Sequence, residues 1–183
     1  FEASPINFEY LKKKIKDNKQ GYNNTKIVLE NTALGAEDKI IEFNQFNESS
    51  SSTIKEIDEE SKYYKRKFRL INFLNNKETY QKIKIKISKL KDYIEKNNIK
   101  KIDFMKIDTE GYELEILLGL ESKIKLVNII MFEHHYDSMI KKGYTFEDIN
   151  KLLIKNNFNK IYKSRMPFRK TFEYIYKREE LIN

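Results

Sequence analysis

The sequence contains no cysteine, and its 183 residues include only two histidines, five glycines and two prolines. Without cysteine the chain forms no disulfide, no thiolate metal site and no cysteine nucleophile. This composition is typical of a reducing compartment, and we expect a cytoplasmic protein. No apolar run approaches the length of a membrane span, so we expect no spanning segment.

Charge of one sign is not concentrated along the chain. Lys plus Arg total 36 against 28 Asp plus Glu, a formal net charge of +8, but acidic residues interleave with the basic ones. This pattern favours a mild attraction to anions over a dedicated nucleic-acid surface. The stretch KYYKRKFR, Lys62 to Arg69, nevertheless mixes basic and aromatic residues that could contact phosphates and stack on bases. A solvated surface explains the same stretch.

The length and the first residues bear on domain organisation. A chain of 183 residues suits one domain with a sizeable core, so we expect a single domain over residues 1–183. Ser4 is typical of a helix N-cap, and Pro5 is typical of the first helical position. A strand should therefore precede Glu2, and we expect this domain to be N-terminally incomplete.

The rest of the sequence alternates between strands and helices. Strands are predicted at 26–31, 69–74, 82–87, 102–108, 126–133, 159–163 and 172–178. Helices are predicted from a Ser88 cap to about Asn97, before a stop at Gly119, and after Thr145, where Asp148 completes a near capping box. This order predicts an α/β fold with a doubly wound sheet and an antiparallel C-terminal strand pair. Such sheets bind ligands beyond the carboxyl ends of their strands.

Two carboxylates, Asp108 and Glu110, stand where the strand beginning at Ile102 ends. Asp108 occupies the last strand position, so we predict that it points toward the ligand crevice, although a turn-forming role is the ordinary alternative. Glu110 precedes the turn at Gly111. We predict that Glu110 lies beside the first free amides of the next helix and stabilises the helix start through its dipole.

The stretch IDFMKIDTEGYELEILLGL, Ile102 to Leu120, resembles the characteristic segment of the FkbM family of methyltransferases. That family follows Lys-Ile-Asp-x-Glu-Gly-x-Glu into a Leu-rich helix ending in Gly. FEASPINFEYLKKKI resembles the segment after its second strand, with Ala3 replacing the usual Pro. NTALG resembles the segment after its third strand, and IIMFEHH stands where its fifth strand ends in Glu.

The resemblance covers nearly the whole chain but lacks one part of the family pattern. The family's first strand and Gly-containing loop are missing, and no Gly-x-Gly element occurs. We therefore expect a fragment of a longer protein. We also expect these 183 residues alone to bind cofactor weakly or not at all.

The resemblance implies a seven-stranded, Rossmann-like class I methyltransferase fold that uses S-adenosylmethionine. Glu2 would accept the ribose hydroxyls of the cofactor, as an acidic residue does in dinucleotide sites. Ala33 and Leu34 would lie against the adenine, and Asp108 would face the methionine end or the site of methyl transfer. Ordinary alternatives are a helix-dipole carboxylate for Glu2 and core packing for Ala33 and Leu34.

Methyl transfer to an alcohol requires in-line alignment and a base. The candidates are Asp108, Glu133 and His134, with His135 as the neighbouring alternative. Adjacent residues on a strand point in opposite directions, so at most one histidine should face the cleft. The same cluster could hold a hard divalent cation, but we assign no metal.

We therefore expect an S-adenosylmethionine-dependent O-methyltransferase acting on a hydroxyl of a small molecule or a glycan. An RNA-directed methyltransferase and a non-catalytic domain that binds nucleic acid or protein on the same fold remain as alternatives. The sequence does not determine the acceptor or the oligomeric state. The alternating KIKIKI, Lys82 to Ile87, is expected at an exposed sheet edge whose lysines discourage pairing.

Overall fold

The computed structural model describes residues 1–18, 21, 25–46, 52–62, 64–65, 80–136, 140–167 and 170–179. The strand predicted at 69–74 and most of the KYYKRKFR stretch lie outside the described residues. None of the helices in the described part of the chain has the length and apolar composition that a membrane crossing requires.

The described elements mix helices and strands, as predicted. The α-helices are α1 (Pro5–Asp17), α2 (Leu90–Lys96), α3 (Glu113–Leu118) and α4 (Phe146–Lys155), and a 3₁₀ helix spans Glu121–Leu126. The strands are β1 (Ala33–Leu34), β2 (Lys39–Phe46), β3 (Glu56–Ile57), β4 (Tyr80–Ser88), β5 (Ile102–Ile107), β6 (Val127–His135), β7 (Ile140–Lys141), β8 (Phe158–Arg165) and β9 (Thr171–Arg178).

The described strands form three sheets. One has the order β1-β4-β2, the second pairs β3 with β7, and the third has the order β5-β6-β9-β8. In the third sheet β5 and β6 are parallel, whereas β9 is antiparallel to both β6 and β8. The predicted antiparallel C-terminal pair is therefore confirmed.

Side chains from both larger sheets meet in one hydrophobic core. Phe43 and Ile87 come from the three-stranded sheet, and Phe132 and Tyr176 come from the four-stranded sheet. Ile149 of α4 is fully buried against them. This shared core holds the ends of strands from both sheets close to one another.

Two of the three helix caps predicted from the sequence, at Ser4 and Thr145, are confirmed. The Ser4 hydroxyl accepts a hydrogen bond from the Asn7 amide at 3.2 Å. The Asp148 carboxylate accepts the Thr145 amide at 2.7 Å. The predicted Ser88 cap is wrong, because Ser88 is the last residue of β4 and the N-cap of α2 is Lys89, whose side chain makes no capping hydrogen bond.

The KIKIKI strand is confirmed in β4, and its edge position stays a prediction for all but its last residue. Ile85 and Ile87 are buried while Lys84 and Lys86 are exposed, so the alternation does separate an inner from an outer face. Strand β4 pairs with β2 along its length, whereas β1 pairs only with Ile87 and Ser88 at its end. Among the described residues, Lys82 to Lys86 therefore bond to a neighbouring strand on one side, and the lysines cover the outer face of the sheet.

Two strand predictions near the start of the chain need correction. Residues 26–31 do not form a strand, and Val28 is 55% exposed. Hydrogen-bonded pairing with a neighbouring strand forms instead at β1, which the prediction placed after the strand. Strand β2 was missed, although Phe43 and Gln45 are buried on the inner side of the alternating sequence IIEFNQF.

The end of α3 lies directly against the residue that follows β1. Gly119 ends α3 as predicted, and a Cβ there would overlap the Gly35 carbonyl oxygen and lie 2.8 Å from its carbon. Only glycine allows this approach without displacing the backbone. The contact brings β1 beside the segment that follows β5.

Candidate functional site

A cavity of about 410 Å³ lies among the ends of β1, β5 and β6. Its volume falls within the range of roughly 300–1,000 Å³ that is usual for small-molecule and cofactor sites. Its walls are made of residues 1–3, 7, 32–34, 43, 52, 54, 108–110, 112, 116, 133 and 166.

Five of the six predicted site residues line this one cavity: Glu2, Ala33, Leu34, Asp108 and Glu133. They come from distant parts of the sequence and from both larger sheets. Their convergence is what the resemblance implies, and the individual roles remain predictions. The sixth residue, His134, is not among the residues that line the cavity.

Glu2 is held by two kinds of contact. Its Oε1 accepts the Ser4 amide at 2.8 Å, at the start of α1. Its own amide donates to the Glu30 carbonyl at 3.0 Å, and its carbonyl accepts the Asn31 side-chain amide at 2.9 Å. These bonds fix the residue at the cavity wall.

Asp108 and Glu133 share one lysine. The Lys106 Nζ lies 3.0 Å from the Asp108 Oδ2 and 3.9 Å from the Glu133 Oε1. The hydrogen bond to Asp108 is the largest cause that raises the pKa of Lys106. Burial raises the pKa of Glu133, and the charge of Asp108 adds to that effect. Sequence reasoning did not identify Lys106 as part of the site.

The carboxylate that supports the start of α3 is Glu113. It is fully buried, and its Oε1 accepts the Gly111 amide at 2.9 Å while its Oε2 accepts the Tyr144 hydroxyl. The role predicted for Glu110 is thus filled three residues later. Glu110 adopts a positive φ of 48° in the turn, and its carboxylate lies 3.3 Å from the His135 Nε2.

The two histidines have different surroundings. His134 is 3% exposed, its ring packs edge-on against Tyr136 at 4.9 Å, and its Nε2 lies 3.5 Å from the Lys142 Nζ. Burial and the charge of Lys142 lower the pKa of His134 to about 4. His135 lies on the same side of β6 as Glu133, and its Nδ1 is 3.0 Å from the Thr171 hydroxyl. The structure therefore does not bring His134 to the cavity as a base.

The described residues contain no group of three or more His, Cys, Asp or Glu side chains arranged to hold a metal ion. The cavity instead combines carboxylates with an apolar wall. Such a wall suits a flat apolar ring, and carboxylates suit hydroxyl groups or positive charge.

Comparison with known proteins gives one match. Residues 1–162 match the family model described as the Methyltransferase FkbM domain. No curated protein and no solved structure matches the chain. The matched region contains all of the cavity residues except Met166.

Proposed function

Since this chain belongs to the methyltransferase FkbM family, we propose that it transfers a methyl group from S-adenosylmethionine to a hydroxyl of a small molecule or a glycan. The observation that supports this most is the meeting of Glu2, Ala33, Leu34, Asp108 and Glu133 at one cavity. A cytoplasmic location stays a prediction from the sequence.

The cavity residues fit the proposed cofactor. The Glu2 carboxylate would accept the ribose hydroxyls, and the apolar side chains of Ala33 and Leu34 would lie against the adenine. When bound, S-adenosylmethionine supplies a methyl carbon on a positively charged sulfur. The negative charges of Asp108 and Glu133 would stabilise the positive charge of that sulfur near these two side chains.

We also propose the doubly wound, Rossmann-like sheet of class I methyltransferases. The order β5-β6-β9-β8, with β5 and β6 parallel, supports it. The cavity lies at the carboxyl ends of these two parallel strands, where ligands bind in doubly wound sheets.

Asp108 and Glu133 supply the chemistry that an alcohol acceptor requires. An alcohol is a poor nucleophile until its proton is removed, and a carboxylate within hydrogen-bond reach can accept that proton. The rest of the acceleration comes from holding the acceptor oxygen in line with the methyl carbon inside a cavity with limited access to water.

A transfer assay on the full-length protein tests this proposal. S-adenosylmethionine carrying a tritiated methyl group is incubated with the protein and, in separate reactions, with hydroxylated small molecules, glycans and RNA. We expect label in a base-stable ether of a small molecule or a glycan. Label in RNA would support the RNA-directed alternative, and no transfer to any acceptor would contradict the proposal.

A further inference from the structure

We propose that Lys106 is a positioning residue that gives the two cavity carboxylates different tasks. It holds Asp108 in a fixed ion pair and leaves Glu133 to accept the proton of the acceptor hydroxyl. This inference rests on the proposed function and names its base and the residue that controls it.

The geometry of two neighbouring strands carries the inference. In the parallel pair of β5 and β6, Lys106 lies opposite Met131 and Ile107 lies opposite Phe132. The next residues, Asp108 and Glu133, therefore follow side by side beyond the last pair. Lys106 and Asp108 stand two positions apart on the same face of the chain, which lets one ammonium group reach both carboxylates.

The Lys106 ammonium group lies at unequal distances from the two carboxylates. At 3.0 Å the Lys106 Nζ donates a charge-assisted hydrogen bond to Asp108, whereas 3.9 Å to Glu133 leaves only Coulomb attraction. The Asp108 carboxylate is thus already hydrogen-bonded to Lys106. Glu133 keeps its oxygens available to a hydroxyl in the cavity that it lines.

The surroundings of Glu133 suit a base. Its side chain is 11% exposed, and burial is the main cause that raises its pKa. Asp108, which follows β5, raises the pKa of Glu133 further, and so does Glu173, which pairs with Glu133 across β6 and β9. Lys106 and His135 lower it. A carboxylate with a pKa moved toward neutrality accepts a proton more effectively than an ordinary one.

The step balances without any further reactant. The acceptor O–H bond breaks and its proton moves to Glu133. The electron pair left on oxygen forms the bond to the methyl carbon, while the carbon–sulfur bond breaks and its pair stays on sulfur. Asp108, fixed by Lys106, carries no proton in this scheme and holds the acceptor in line.

The chain offers a matched control for Lys106. At the other end of the same strand, Lys101 lies 2.6 Å from Asp103 with the same two-residue spacing, and both side chains are mostly exposed. Neither residue lines the cavity. Lys101→Met thus removes an equivalent charge from an equivalent pair away from the site.

The experiment compares Lys106→Met, Lys106→Arg and Lys101→Met in the full-length protein. Two quantities are measured: the pH dependence of kcat/KM for methyl transfer, and the titration of the Glu133 carboxyl carbon by NMR, assigned with Glu133→Gln. Lys106→Met removes a charge that lowers the pKa of Glu133, so the titration midpoint and the acid limb of the rate profile should both move to higher pH. Each unit of that shift makes the rate on the acid limb about tenfold lower.

Lys106→Arg should restore most of the wild-type profile, and Lys101→Met should match wild type in both measurements. An unchanged Glu133 midpoint and an unchanged profile in Lys106→Met would overturn the inference. A lower melting temperature of Lys106→Met with an unchanged Glu133 midpoint would also overturn it, because that result would show that Lys106 has only a structural role. Absence of methyl transfer by wild type would instead overturn the proposed function, while the NMR titration still decides whether Lys106 controls Glu133.

Discussion

At the scale of single residues, the segment from the end of β5 to the start of α3 carries three carboxylates with three different partners. Asp108 pairs with Lys106, Glu110 lies beside His135, and Glu113 is buried under Tyr144. Sequence spacing singled out Asp108 and Glu110 and predicted different roles for them. It did not identify Glu113 or the partners of Glu110 and Glu113, because His135 and Tyr144 come from β6 and from the segment before α4, far away in the sequence.

Asp108→Asn should lower kcat/KM by at least ~10²-fold in the full-length protein, since the carboxylate aligns the reacting groups. The melting temperature should change little, because a half-exposed ion pair contributes only about 0–1 kcal/mol to stability. The measurements are steady-state methyl transfer and thermal unfolding. Asp103→Asn, which removes the matched exposed carboxylate, is the control.

Full activity in Asp108→Asn would show that this carboxylate lies outside the reaction site. A large fall in melting temperature would show instead that its main role is structural.

His134 should make stability depend on pH. Its pKa is lowered to about 4 in the folded protein, against an ordinary value of 6.5. Between pH 4 and pH 6.5 the unfolded chain thus binds more protons than the folded protein. The stability contributed by the buried neutral His134 is therefore complete above about pH 6.5 and is lost as the pH falls toward 4. His134→Phe should flatten this part of the curve of unfolding free energy against pH. An identical slope in the variant and wild type, measured by urea unfolding, would contradict the assignment.

At the scale of secondary structure, the spacing of apolar residues correctly predicted the strands that bury one face against the core. The alternation of Lys and Ile in β4 and the apolar runs of β5 and β6 survive in the structure because each packs on a core. The apolar residues at 26–31 were misassigned, because a strand also needs a ladder partner. Among the described residues, the backbone of this stretch bonds to the backbone of another segment only once, where the Glu2 amide donates to the Glu30 carbonyl.

Gly119→Ala should destabilise the protein through the contact between α3 and the residue after β1. Its φ of −68° suits alanine, but the added Cβ would overlap the Gly35 carbonyl oxygen. Overpacking of this kind costs about 1–3 kcal/mol. Each 1 kcal/mol lowers the melting temperature of a domain of this size by about 2–4 °C.

Gly21→Ala is the matched control, because a Cβ at Gly21 meets nothing within 4 Å. Differential scanning calorimetry on both variants measures the difference. Equal melting temperatures for the two would show that α3 moves away from Gly35 at no cost.

At the scale of the whole molecule, the cavity depends on two sheets meeting at one core. Ala33 and Leu34 belong to the three-stranded sheet and Glu133 belongs to the four-stranded sheet, while Glu2 precedes α1 and Asp108 directly follows β5. The resemblance to a family brought these five residues together as candidates, whereas spacing alone left Glu2, Ala33, Leu34 and Asp108 with ordinary alternatives. The link through Lys106 was not predictable from the sequence, because it depends on the register between β5 and β6.

Calorimetric titration of the full-length protein with S-adenosylmethionine tests the central claim most directly. We expect saturable binding at one site, weakened about ten- to hundredfold in Glu2→Gln through the loss of charge-assisted hydrogen bonds worth roughly 1.5–3 kcal/mol. The glutamine amide oxygen can still accept the Ser4 amide, so α1 should keep its start. Glu9→Gln, which changes an exposed carboxylate on α1, should bind like wild type. No binding by wild type, or equal affinity in Glu2→Gln, would contradict the account.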